Sequence, residues 1–217
     1  MTIEQNLKDV KERITKSALK VYRHPENIKL VAVTKTFSVD VINKAIDSGI
    51  NSIGETKVQE AKKKFEQIGR KVEWHMIGHL QSNKVKDAVK IFDIIHSIDR
   101  MKIAKKVSNE CLKLNKKMPI LVEVNLTKDK FGVKPEEIAE FVNEIKKLEG
   151  IKVEGLMTIA PFIDPEETRP YFKKLSELVL KCKLKELSMG MSNDFEVAIE
   201  EGTTMVRIGT AIFGERK

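Results

Sequence analysis

Eight short strand-like runs lie between residues 28 and 208, each but the last followed by an amphipathic stretch. No other feature narrows the fold as much. The first run is Ile28-Lys-Leu-Val-Ala-Val-Thr34, and the later ones fall at 51–54, 72–77, 92–98, 119–125, 151–157, 186–189 and 203–208. Runs of this kind read as strands. The stretches between them carry apolar residues at helical spacing and predict helices over 38–49, 56–68, 82–90, 99–116, 135–148, 167–182 and 193–201. Ser38 and Asp99 stand where a side chain caps a helix N-terminus. A short tail follows the last strand.

Strict alternation of strand and helix implies a parallel sheet clad by helices. Eight units in about 190 residues match a compact α/β fold, a single (β/α)8 TIM barrel near the lower size limit of that architecture. An open doubly wound sheet is the alternative arrangement of the same elements. Ahead of the barrel, Ile3, Leu7, Val10, Ile14 and Leu19 make residues 3–22 an extra N-terminal helix, ended by His24-Pro25. No linker or low-complexity tract divides the chain. The expectation is one domain over 1–217, with 1–24 packed on the barrel.

Composition removes several classes. No stretch approaches the roughly 20 apolar residues of a membrane helix, and the charged N-terminus has no apolar signal core. Cys111 and Cys182 lie far apart, which suits a reducing cytosol and a cytoplasmic protein. The net charge of +8 permits a basic nucleic-acid-binding barrel. However, the lysines are scattered over helical faces and aromatics are only 6%, so the excess reads as solvated surface.

In such a barrel, functional groups gather in the loops after the strands. Lys35 is one of 33 lysines, but it ends an apolar strand with the parity of Val31 and Val33. Its side chain is expected to follow theirs toward the barrel axis. There it is either a desolvated, nucleophilic amine or a lysine that snorkels to the rim. Ser192, before the helix expected near 193, and Gly209-Thr210 after the last strand suit a phosphate, although the glycines also serve tight turns. Arg207 shares parity with Thr203 and Met205 and needs an acceptor, either Glu55 or Asp194 or a ligand ring nitrogen. His75 and His79 have the spacing of a helical zinc pair but fall on a strand broken by Gly78, so no metal is expected. Trp74, Met76 and Ile77 read as core. No catalytic triad or Walker loop is present.

Ala32-Val-Thr-Lys35, Trp74-His-Met-Ile-Gly-His-Leu-Gln-Ser-Asn-Lys84, Gly155-Leu-Met157, Leu187-Ser-Met-Gly-Met-Ser192 and Val206-Arg-Ile-Gly-Thr-Ala-Ile-Phe-Gly214 resemble the pyridoxal phosphate homeostasis protein family over nearly the whole chain. The resemblance implies a fold-type III barrel, as in the N-terminal domain of alanine racemase, that binds pyridoxal 5'-phosphate (PLP). It implies a Schiff base on Lys35, phosphate contacts from Ser192, Gly209 and Thr210, Arg207 facing the pyridine nitrogen, and Met191 lining the site. The family has Gly-Glu-Asn-Tyr where this chain has Gly54-Glu55-Thr56-Lys57; Thr56 is taken as the hydrogen-bond donor in place of the Asn.

A cation beside the pyridine nitrogen disfavours ring protonation and weakens the electron sink. Racemases of this type add a β-rich domain bearing a catalytic tyrosine. Here the sequence ends three residues after Gly214, and its only tyrosines are Tyr22 and Tyr171, neither in a strand-end loop. His79, Lys84 and His96 are the groups left to enter the mouth. The resemblance therefore implies a monomeric, non-catalytic carrier that holds PLP and supplies apo-enzymes. A weakly active PLP-dependent amino-acid racemase is the alternative.

Overall fold

The computed structural model describes residues 2–127 and 131–215. Its strands are β1 (Lys29–Val33), β2 (Ser52–Glu55), β3 (Glu73–Met76), β4 (Ile94–Ile98), β5 (Met118–Glu123), β6 (Ile151–Met157), β7 (Glu186–Ser188) and β8 (Met205–Ile208). They pair in sequence order, all parallel, and β8 returns to β1 to close the barrel. The helices are α1 (Ile3–Lys20), α2 (Val39–Asp47), α3 (Val58–Ile68), α4 (Val85–Ile91), α5 (Met101–Lys113), α6 (Ile138–Ile145), α7 (Arg169–Lys181), α8 (Phe195–Glu200) and α9 (Thr210–Phe213). The closed barrel excludes the open sheet. Of the expected domain, Met1, 128–130 and 216–217 lie outside the described residues.

Strand alternation divides the core in two. Ala32, Ile53, Trp74, Ile95, Val122, Leu156 and Val206 face outward and pack with the helices. Ile94, Leu121, Met157 and Met205 form a smaller apolar cluster of their own. The outward parity of Leu30 and Ala32 turns Lys29, Val31 and Val33 inward. The N-terminal helix buries Leu7, Val10, Ile14 and Ala18 and starts with a capping box between Thr2 and Gln5. It lies against α8 and α9. Arg13 chelates Glu196 at 2.9 and 3.3 Å and stacks on Phe195. Arg23 donates to the carbonyls of Ile199 and Thr203 at 2.8 and 2.7 Å, at the end of α8 and in the loop that follows it.

Three local expectations change. The tail after β8 contains a one-turn helix, α9. Ser38 does occupy an N-cap, but its hydroxyl makes no capping bond. Asp99 does not cap α5; Arg100 holds that position and binds the Asp99 carboxylate at 2.6 Å instead. A charge-assisted partner next to the carboxylate outcompetes a backbone N–H. Among the described residues, no helix is long and apolar enough to cross a membrane.

Candidate functional site

At the C-terminal end of the strands lies a cavity of about 420 Å3, within the range of small-molecule sites. Lys35, Met191, Ser192, Arg207, Gly209 and Thr210 all line it. Thr56 does not. It lines an adjoining recess of about 280 Å3 with His79, Gln81 and Lys84. Phe162, 88% exposed, stands on the wall of the larger cavity.

Lys35 is held by its neighbours. Thr36 adopts φ 72°, a left-handed conformation costly for a β-branched residue. Its N–H donates to Glu60 Oε1 at 2.5 Å. On the other side of Lys35, the Thr34 carbonyl accepts from the Lys64 ammonium at 2.7 Å, and the Thr34 hydroxyl donates to Glu55 Oε1 at 2.7 Å. Lys64 also binds Glu55 and Glu60, each at 2.6 Å. Burial pushes the Glu55 carboxyl above its ordinary range, against the pull of Lys64. Burial acts the same way on Glu60, but the bonds from Lys64 and the Thr36 N–H bring it below. One buried ion cluster thus grips the backbone before and after Lys35.

The opposite wall is rich in donors. Gly190, at φ 88°, allows the turn after β7; a Cβ there would come within 2.6 Å of Ala198. Asp194 then accepts from the Met191 N–H at 2.6 Å. This brings Ser192 Oγ under the N-terminus of α9, where it accepts from the N–H groups of Gly209 and Ala211 at 3.3 and 3.2 Å. The Thr210 hydroxyl lies 3.4 Å from the same oxygen. Long bonds from several donors onto one neutral hydroxyl are the setting in which an anion is the better acceptor.

Arg207, 4% exposed, donates to Ser188 Oγ at 2.7 Å and to the Thr158 carbonyl at 2.8 Å. Burial pulls its pKa down to about 10, partly offset by Asp194 and Glu123. Its bonded acceptors are thus neutral. Glu55, considered above as its partner, is committed to Lys64.

His96 corrects an expectation. It does not reach the mouth; it is fully buried, with Nε2 2.8 Å from His75 Nδ1 and Nδ1 2.9 Å from Ser188 Oγ. A register shift between Ile95 and Ile98 sets the inward side of β4. His79 and Lys84 do line the recess beside the mouth, where His79 stacks on Phe131. Tyr22 is 98% exposed, and Tyr171 packs within α7. Among the described residues, no group of three His, Cys, Asp or Glu gathers as metal ligands.

The residues fit PLP in chemistry. A lysine amine, a cluster of N–H and O–H donors and a buried cation face one cavity, matching an aldehyde, a phosphate and a ring nitrogen. A larger cavity of about 790 Å3 opens at the other end of the barrel, lined by Lys29, Ser52 and Glu73 among others, and offers no such set.

The fold and this site define the barrel class of the alanine racemase N-terminal domain, and the family model of that description matches residues 3–217. A pyridoxal phosphate homeostasis protein of Aquifex aeolicus is 44% identical over 98% of both chains. One from Escherichia coli K12 is 37% identical over 99% of this chain and 97% of its own. PipY of Synechococcus elongatus PCC7942, solved with PLP bound, superposes with a TM-score of 0.87 at 31% identity, over 98% of this chain and all of its own. This chain belongs to the pyridoxal phosphate homeostasis protein family.

Proposed function

We propose that this chain binds PLP in the 420 Å3 cavity through Lys35 and serves in the cell to hold and supply it, without catalysing turnover. The observation that carries this reading is the meeting of Lys35, Arg207 and the Ser192–Gly209–Thr210 cluster on one cavity. Bound PLP supplies an aldehyde for the lysine amine, a phosphate and a pyridine nitrogen.

In this reading Lys35 is the covalent anchor, kept in place by Thr34 and Thr36. Ser192, Gly209 and Thr210 hold the phosphate, and Met191 packs beside it. Arg207 faces the ring nitrogen as a donor, which disfavours ring protonation and carbanion chemistry. No contact is assigned to Thr56, which opens on the neighbouring recess. In this reading the whole of 1–217 acts as one domain and as a monomer, with apo-forms of PLP-dependent enzymes as recipients in the cytoplasm.

The test is spectroscopic. The purified protein with PLP is expected to absorb in the visible, and Lys35→Ala is expected to lose that band. An unchanged spectrum in the variant overturns the anchor. A faster gain of activity by an apo-enzyme given the loaded protein, compared with free PLP, supports supply. Catalytic α-proton exchange of amino acids in deuterated water would overturn the non-catalytic reading.

A further inference from the structure

A line of buried polar groups crosses the barrel between its two cavities. Arg207 donates to Ser188 Oγ at 2.7 Å; Ser188 Oγ lies 2.9 Å from His96 Nδ1; His96 Nε2 lies 2.8 Å from His75 Nδ1. His75 Nε2 lies 3.1 Å from Glu73 Oε2, a close polar contact that is not aligned as a hydrogen bond. Glu73 is also bound by Lys29 at 2.7 Å and by the Ser52 hydroxyl at 3.2 Å. Ser188, His96 and His75 are each 0% exposed. Arg207 lines the upper cavity, and Glu73 lines the lower one.

Only one direction sets a donor against an acceptor at every step of the line. A neutral imidazole has one donor and one acceptor, and burial keeps both rings neutral. Glu73 is ionised, since the His75 contact and then Lys29 hold its carboxyl down at about 2 despite partial burial. His75 must therefore turn its Nε2–H toward Glu73, leaving Nδ1 to accept from His96 Nε2–H. His96 Nδ1 then accepts from the Ser188 hydroxyl, whose oxygen accepts from Arg207. The reverse order would aim a lone pair of His75 at a carboxylate and leave the Ser188 hydrogen without this acceptor. Aligned bonds polarise one another, so the charge at Glu73 strengthens the acceptor that Arg207 meets.

We infer that Glu73, acting through His75, His96 and Ser188, is a positioning residue that sets how strongly Arg207 donates into the cofactor cavity. The part of this inference that concerns the ring nitrogen rests on the proposed PLP function. The polarity of the line does not.

The two parts separate by experiment. Nitrogen-15 NMR of the histidines in protein freed of PLP is expected to show both His75 and His96 as Nε2–H tautomers, with Nδ1–H signals emerging at both in Glu73→Gln. Wild-type Nδ1–H tautomers, or tautomers unmoved in the variant, overturn the polarity. Protein loaded with PLP labelled at the ring nitrogen is then compared. That resonance is expected to move in Glu73→Gln and to stay in Glu186→Gln, a control whose carboxylate lines the same lower cavity but binds Thr204. Equal shifts in both variants, or none in either, overturn the coupling. A failure of Lys35→Ala to lose its band overturns the Lys35 anchor of the proposed function while leaving the tautomer result intact. If Glu73→Gln does not fold, Ser188→Ala cuts the line at its upper end. It is expected to move the ring-nitrogen resonance with His75 still Nε2–H, and a changed His75 tautomer overturns control from Glu73.

Discussion

The Lys64 ammonium donates at 2.7 Å to the carbonyl of Thr34, the residue before Lys35. Lys64 is itself only 6% exposed and bridges two carboxyl groups, Glu55 and Glu60. A buried ion pair adds little stability over an apolar pair, but removing one partner strands the other. Lys64→Met is therefore expected to destabilise by about 3–5 kcal/mol in urea unfolding. Lys64→Met combined with Glu55→Gln is expected to recover part of that loss, because no buried charge is left at Glu55. A double variant as unstable as the sum of the single ones would show that the cluster does not act as a unit.

Thr36 holds the strained side of the same turn. Its φ of 72° costs about 1–3 kcal/mol for a residue with a branched Cβ. Glycine adopts that angle freely and gives up about 0.5–1 kcal/mol of chain entropy. Thr36→Gly is expected to raise stability by about 1 kcal/mol. It is also expected to speed PLP release, since the backbone next to Lys35 is freed. A lower melting temperature would mean that the threonine side chain contributes more than its backbone costs.

The barrel was legible because its two periods, near 2 in strands and 3.6 in helices, are local properties of the chain. Lys35 and Arg207 could be singled out for the same reason: each stands at a strand end, and parity gives its direction, whereas Ser192 stands out as a hydroxyl just before an expected helix. Lys64 could not. It lies among three consecutive lysines on α3, and its burial depends on reaching back to the loop after β1. The depth of His96 was hidden too, since the register shift between Ile95 and Ile98 is a property of pairing with β5. One-turn α9 has no period to read, yet its N-terminus lies over Ser192. Thr56 was placed by resemblance alone, and the fold turns it to a different recess.

Ser192 gives a direct test of the donor cluster. Its oxygen gathers the N–H groups of Gly209 and Ala211. Ser192→Ala is expected to weaken PLP by about 1.5–3 kcal/mol, roughly ten- to 100-fold, through the loss of one hydrogen bond to a charged group. Binding of pyridoxal, which lacks the phosphate, is expected to be unchanged. An equal loss for both ligands in an absorbance titration would place the phosphate elsewhere.

Buried histidines make this fold sensitive to acid. Burial lowers the His75 pKa and pushes that of His96 well below its ordinary 6.5, helped by the neighbouring His75 and Arg207. The unfolded chain takes up protons at these sites as the pH falls through 6.5, whereas the folded chain does not. Their contribution is therefore complete above 6.5 and is lost as the pH drops below it, by up to about 1.4 kcal/mol per pH unit for each ring. Glu73 adds a second loss at lower pH, between its ordinary 4.5 and about 2. His96→Gln keeps a donor and an acceptor on the line but does not titrate. It is expected to be less stable than the wild type at neutral pH and to lose about 1–2 kcal/mol less between roughly pH 7.5 and 5, measured by urea unfolding. Parallel pH profiles for the two proteins would mean that His96 carries its proton inside the barrel, and that the line from Glu73 to Arg207 is not neutral at its centre.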